Sequence, residues 1–177
     1  MKELKFKILP ILLVAILFAC TNEPQQKKVI TPKKPKTKIS VPKFNADSAY
    51  SFIEKQVSFG PRALSSKGWK DCAIWLEKKF KTYTPNVMVQ EAPIATYDRK
   101  NHTLKNIIAS FSPEENNRIA LFAHWDSRHI ADHDTKNTDK AILGANDGGS
   151  GVGVLLEMAR QFSKKNPKIG VDIILFD

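Results

Sequence analysis

Two apolar runs bracket an amphipathic helix in the second half of this 177-residue chain, and that pattern restricts the fold more than any other feature. Ile119 to Ala123 has no polar residue, which predicts a strand covered on both faces, and Val171 to Phe176, apolar but for Asp172, reads the same way. Between them, Gly151 to Lys165 places Val152, Leu155, Leu156, Ala159 and Phe162 at helical spacing, and Pro167 and Gly170 end the helix. Strand, loop, helix, strand is a βαβ unit, whose strands run parallel. An α/β fold follows, and ligands in such folds sit beyond the carboxyl ends of the strands.

That rule gives weight to three polar positions. His124 and Asp126 leave the end of the first apolar run, and Asp177 leaves the end of the second. Asp147 lies in the turn Gly144-Ala145-Asn146-Asp147-Gly148-Gly149, which feeds the helix. Glycines there let the backbone turn tightly, and the helix's positive end stabilises an ionised Asp147. An imidazole beside anionic carboxylates is a zinc-type donor set. The turn does not suit phosphate, because it lacks G-x-x-x-x-G-K-[ST] and its aspartate repels anions.

Upstream, Asn45 or Asp47 caps a helix that turns Ala49, Phe52, Ile53 and Val57 to one side, and Phe59-Gly60-Pro61-Arg62 breaks it. Trp69, Cys72, Ala73, Leu76 and Phe80 mark a second helix, with lysines on its other faces. Trp69 and Trp75 read as packing residues, and Cys72 as a small core residue rather than a nucleophile. Val87 and Val89 suggest a half-buried strand, Leu104 to Phe111 another, and Ser112 to Asn117 a polar turn. Arg128 to Lys140 reads as a solvated insert, although His129, Asp132, His133 and Asp134 are metal-type residues.

The net charge of +10 looks like a nucleic-acid signal until it is located. Ten lysines and only two acids lie within residues 1–43, so the rest of the chain carries a net of +2. Nucleic-acid binding needs basic residues clustered on the folded body, and this distribution argues against it. Residues 1–19 read as an export signal: Lys2, Lys5 and Lys7 precede an apolar core from Ile8 to Phe18, shorter than the about 20 residues a membrane span needs. Leu17-Phe18-Ala19-Cys20 resembles a bacterial lipobox, which predicts a lipidated Cys20 and attachment to a membrane surface. Residues 20–43, rich in Lys, Pro, Gln and Thr, cannot bury enough surface to offset their ordering entropy and read as a tether. The folded domain is then 44–177. The expected location is the bacterial cell envelope, lipid-anchored and facing the periplasm or the surface.

From about Asn106 to Asp177 the chain resembles the zinc-dependent aminopeptidase-like family, and more narrowly its glutaminyl-peptide cyclotransferase branch. The resemblance is carried by Ala123-His124-Trp125-Asp126-Ser127-Arg128, by Gly144-Ala145-Asn146-Asp147 and by the strand closing in Phe176-Asp177. The helix text from Gly151 to Arg160 also suits it, and residues 45–105 resemble its N-terminal region more loosely. The resemblance implies a three-layer sandwich around a mostly parallel central sheet, the phosphorylase/hydrolase-like aminopeptidase architecture, incomplete at the C-terminus. It implies zinc as cofactor and peptide or protein N-termini as substrates, with N-terminal glutamine cyclised to pyroglutamate and ammonia released.

Asp147 stands at the family's zinc aspartate, which bridges two metals in the peptidases. His124 stands at the histidine that binds their second zinc, a position that need not be a ligand in single-zinc cyclases. Asp126 matches the aspartate that orients this part of the site. In the family, the strand matched by Phe176-Asp177 precedes a Gly-Glu-Glu or Gly-Glu-Asp element, which brings the general acid/base glutamate and a further zinc carboxylate. That element is not among these 177 residues. Two alternatives accompany the cyclase: a zinc aminopeptidase hydrolysing N-terminal peptide bonds, and a C-terminally truncated, inactive piece that folds poorly alone.

Overall fold

The computed structural model describes residues 40–177. The export signal at 1–19, Cys20 and the tether up to residue 39 lie outside them. Helix α1, Ala46–Val57, follows an Asn45 cap whose side chain accepts from the Ser48 N–H. Helix α2 spans Lys67–Lys81 behind Ser66, which caps through the Trp69 N–H. Strands β1, Val87–Ala95, and β2, Asn101–Phe111, form a hairpin; β3, Arg118–His124, α3, Gly149–Lys164, and β4, Gly170–Phe176, complete the fold. No helix among the described residues is long and apolar enough to cross a membrane.

The sheet order is β1-β2-β4-β3. The β3/β4 ladder is parallel, as the βαβ pattern requires, while β1/β2 and β2/β4 are antiparallel. The sheet is therefore mixed. The parallel register pairs His124 with Phe176, so both apolar runs end side by side.

Ile107, Ala109 and Phe111 of β2 pair with Leu175, Ile173 and Val171 of β4, and cross-strand partners share a face. All six are buried in one core with Trp69, Cys72, Leu76 and Phe80 of α2 and Val152, Leu155, Leu156 and Ala159 of α3. The described residues thus form two layers, a sheet and the helices on one of its sides. Burial pushes the Cys72 thiol up to about 12, which leaves it unreactive. The opposite side carries Asp172, the one polar residue within the last apolar run. It pairs with two of the three Arg118 side-chain nitrogens, Nε at 2.9 Å and Nη2 at 2.6 Å, and accepts from Ser110 Oγ at 2.6 Å.

One expectation is corrected. Ile119 to Ala123 is not covered on both faces among the described residues. It forms the edge strand β3, where Phe122 is 61% exposed and Ile119 46%. Leu121 and Ala123 pack against the helical core, whereas the alternation of β3 turns Phe122 to the side on which no described helix lies.

Helix α3 lies tightly on α1. A Cβ at Gly153 would come within 2.7 Å of both the Ala49 carbonyl oxygen and Ile53 Cγ1, so only glycine permits this approach. The wholly buried Glu157 secures the same contact. It accepts from the Asn45 N–H (3.0 Å), from Arg160 Nε (2.6 Å) and Nη2 (2.8 Å), and from Gln161 Nε2 (2.6 Å). Burial pushes its carboxyl upward, but the hydrogen bonds from Arg160, Gln161 and Asn45 together hold it below the usual carboxylate range. A depressed pKa stabilises the fold above the unfolded value, and that stability is lost as pH falls through the folded value. Glu157→Gln is expected to lower the unfolding free energy by about 1–3 kcal/mol at neutral pH. In urea titrations, the gap from wild type should narrow as pH drops below the ordinary carboxylate range.

Candidate metal centre

The end of β3 and the start of α3 converge on His124. Its Nδ1 lies 2.8 Å from Asp126 Oδ1, and its Nε2 lies 3.0 Å from Asp147 Oδ1. One imidazole thus spans two carboxylates, and the tautomer decides which nitrogen donates. Asp147 is not a helix cap. The cap position is Gly148, at φ 84°, and no side chain caps α3. A Cβ on Gly148 would come within 2.8 Å of His124 Cε1 and 3.0 Å of the Asp126 carbonyl oxygen, so glycine lets the turn close on the ring.

A residue with no sequence signal holds these loops in place. Arg62, which the sequence marks only as part of a helix break, is wholly buried. Its guanidinium donates to the carbonyl oxygens of Trp125 (2.9 Å), Leu143 (2.7 Å) and Gly144 (2.8 Å). Its backbone N–H donates to Ser127 Oγ at 2.8 Å, and its carbonyl accepts from the Ser127 N–H at 3.1 Å. Burial draws the guanidinium below the usual arginine range, partly offset by Cys72 and Asp126. Partners 63 to 82 residues away in the chain cannot be read from local pattern.

Trp125 is also wholly buried. Its indole N–H donates to the Lys105 carbonyl at 2.9 Å, its backbone N–H donates to the Phe176 carbonyl at 3.1 Å, and its ring stacks on Trp69 at 5.6 Å. Trp125 therefore sets the exit angle of the chain between His124 and Asp126.

Asp177 lies elsewhere than against the imidazole. Its Oδ2 accepts from Trp69 Nε1 at 2.8 Å and from the Lys105 N–H at 3.0 Å, so it faces α2 and β2. Burial, with some help from the charge of Asp126, pushes its carboxyl up to about 6 against the pull of those two N–H groups. The insert from Arg128 to Lys140 is mostly exposed, and Arg128 Nη2 pairs with Asp132 at 2.9 Å.

The donor chemistry fits zinc in part. His124 Nε2 and an Asp147 oxygen converge as zinc donors do, and Asp126 on the other ring nitrogen is the arrangement that orients a metal-binding imidazole. A catalytic zinc normally takes three protein ligands. Among the described residues no group of three or more His, Cys, Asp or Glu gathers in a way that could hold a metal. A cleft of about 550 Å³ opens over the cluster, lined by His124, Asp126 and Asp147 on one side and the β1–β2 hairpin tip on the other.

Residues 106–177 match the model of peptidase family M28. The solved glutaminyl cyclase of Tannerella forsythia is 51% identical, with a TM-score of 0.76, over 77% of this chain and 47% of that one. A Zn-dependent exopeptidase of Parabacteroides distasonis is 48% identical, also at TM-score 0.76, over 78% of this chain and 48% of its own. A fungal protein named "Probable zinc metalloprotease", from Pyrenophora teres f. teres, is 29% identical over 72% of this chain and 29% of its own length. The chain spans about half the length of these solved structures.

The raised pKa of Asp177 yields a signed expectation. A carboxyl held above its unfolded value stabilises the fold below that value, and the contribution is lost as pH rises through about 6. Asp177→Asn keeps an acceptor for Trp69 and Lys105. It should raise stability at neutral pH by about 1–2 kcal/mol, a figure reduced for partial solvation. Chemical denaturation at several pH values should show that gain fading toward the ordinary carboxylate range.

Proposed function

Because residues 106–177 match the model of peptidase family M28, we propose that the chain is the N-terminal portion of a zinc-dependent glutaminyl-peptide cyclotransferase. Its substrates are peptide or protein N-termini beginning with glutamine, its products pyroglutamate and ammonia. The observation that carries this reading is the convergence of His124 and Asp147 at the carboxyl end of a parallel strand, under a cleft open to solvent. The likeness to a solved cyclase over this part of the fold supports it.

Asp147 and His124 are the metal donors in this proposal. When bound, zinc supplies Lewis-acid polarisation of the glutamine side-chain carbonyl. Asp126 fixes the ring and its tautomer from the other side, a positioning role. The side chain of Asp147 is 70% exposed and lines the cleft, so its carboxylate is open to a metal entering from solvent. No residue of these 177 is assigned the transfer of the amine proton to the leaving ammonia. The proposal extends to residues 1–43: export through residues 1–19, lipidation at Cys20 and a tether beyond it, which would hold the enzyme in a bacterial envelope facing the periplasm or the surface.

A second reading is a zinc aminopeptidase. The favouring observation is His124 facing Asp147, since the family's two-metal peptidases use both positions. The full-length protein, offered Gln-peptides and Leu-anilide, separates the two: pyroglutamate without residue release marks the cyclase, free leucine the peptidase. Asp147→Ala should lower turnover by about 100-fold or more, and Asp126→Asn by about 10–100-fold. Dialysis against a chelator should abolish activity, and zinc should restore it in wild type but not in Asp147→Ala. Residues 21–177 expressed alone should neither retain stoichiometric zinc nor cyclise glutamine; zinc retention with turnover would exclude the inactive-fragment alternative.

A further inference from the structure

The cleft over His124 has a second wall that the proposed chemistry does not use. The tip of the β1–β2 hairpin contributes Thr96, Tyr97, Asp98 and Lys100, and the loop after β3 contributes Arg128 and His129. Tyr97 is 84% exposed, and its ring lies 6.3 Å from that of His129, tilted by 38°. The two rings together give the rim an aromatic surface that opens onto the cleft.

The charges around this rim are already paired with one another. Lys100 Nζ lies 2.7 Å from Asp98, and Arg128 Nη2 lies 2.9 Å from Asp132. The floor differs: it holds the His124–Asp147 pair, with Asp126 behind the ring, where the reacting N-terminal residue sits in the proposed chemistry. The cleft therefore runs from that cluster to an internally neutralised, aromatic rim. A peptide whose N-terminal residue lies at the floor directs its next side chain to the rim.

The wall is also held before any ligand arrives. Thr96 donates from its N–H to the Lys100 carbonyl at 3.0 Å and from its hydroxyl to Asp98 at 2.5 Å; Arg99 donates from its N–H to the Thr96 carbonyl at 2.8 Å. At the hairpin's flank, His102 Nδ1 and Ser65 Oγ are 2.8 Å apart, tying β2 to the segment before α2. A rigid wall loses little entropy on binding.

We infer that Tyr97 and His129 form a specificity subsite for the side chain that follows the reacting N-terminal residue, and that this subsite selects aromatic or large apolar side chains over small or charged ones. The inference rests on the functional reading above for the direction in which the peptide lies. Tyr97 acts by ring contact alone, so Tyr97→Phe keeps the selection and Tyr97→Ala loses it.

The test uses the full-length protein and the peptides Gln-Phe-Ala, Gln-Gly-Ala and Gln-Asp-Ala. The unaltered protein should favour Gln-Phe-Ala in both KM and calorimetric Kd. Tyr97→Ala should weaken that peptide by about 3–10-fold while leaving Gln-Gly-Ala and kcat nearly unchanged, and Tyr97→Phe should match wild type. Pyroglutamate formation tests the functional reading, whereas the ratio of peptide affinities, measured with or without turnover, tests the subsite. Equal affinities in the unaltered protein, or a preference that survives Tyr97→Ala, would overturn it.

Discussion

The buried guanidinium of Arg62 is the interaction on which the arrangement of the site depends. It crosses from the α1–α2 connection to three carbonyl oxygens, one on the segment leaving β3 and two on the turn that feeds α3. Those two segments carry Asp126 and Asp147, and only their joint placement puts a carboxylate on each side of His124. A charge with no contact to solvent needs compensation, and three carbonyl dipoles together with the nearby Asp126 charge supply it. A lysine would keep the charge but not the planar fork that reaches three acceptors at once.

A clear division of labour follows. The helical side of the sheet is the stable body, with α1 tied to α3 through Glu157 and the two tryptophans stacked beneath the site. The end of β3 and the turn before α3 carry the candidate metal donors. Asp177 marks the boundary between them: it continues the strand that pairs with β3, but its carboxylate is committed to Trp69 and Lys105. A carboxylate beyond a strand end is thus not automatically part of a metal cluster; its partners decide.

Much of the fold could be read from periodicity. The α3 stripe, the two apolar runs and the capped α1 emerge because each burial pattern has a period of its own. His124, Asp126 and Asp147 were legible together because the segment leaving β3 and the turn feeding α3 lie at one end of the βαβ unit, whereas the same strand-end rule misplaced Asp177, which faces Trp69 and Lys105. Features set by long-range contact were not legible. Arg62 looks like any arginine after a Gly-Pro break, and Glu157 looks like a solvent-facing helix residue; both are buried because partners far away in the chain satisfy them. The antiparallel pairing of β2 with β4 is likewise invisible locally, since strand order is a tertiary fact. The exposure of β3 escaped prediction because an apolar run states which residues avoid water, not which neighbour shields them.

The uncovered side of β3 has a practical consequence. Among the described residues β3 is a ribbon with one hydrogen-bonding rim free and a phenyl ring bare, which invites sideways joining to its own kind. Arg118, spread across Asp172 near the start of that ribbon, is a charged gatekeeper at one end only. Self-association of residues 41–177 would therefore begin near the Phe122 end, growing worse with concentration and easing when that ring is traded for a polar group.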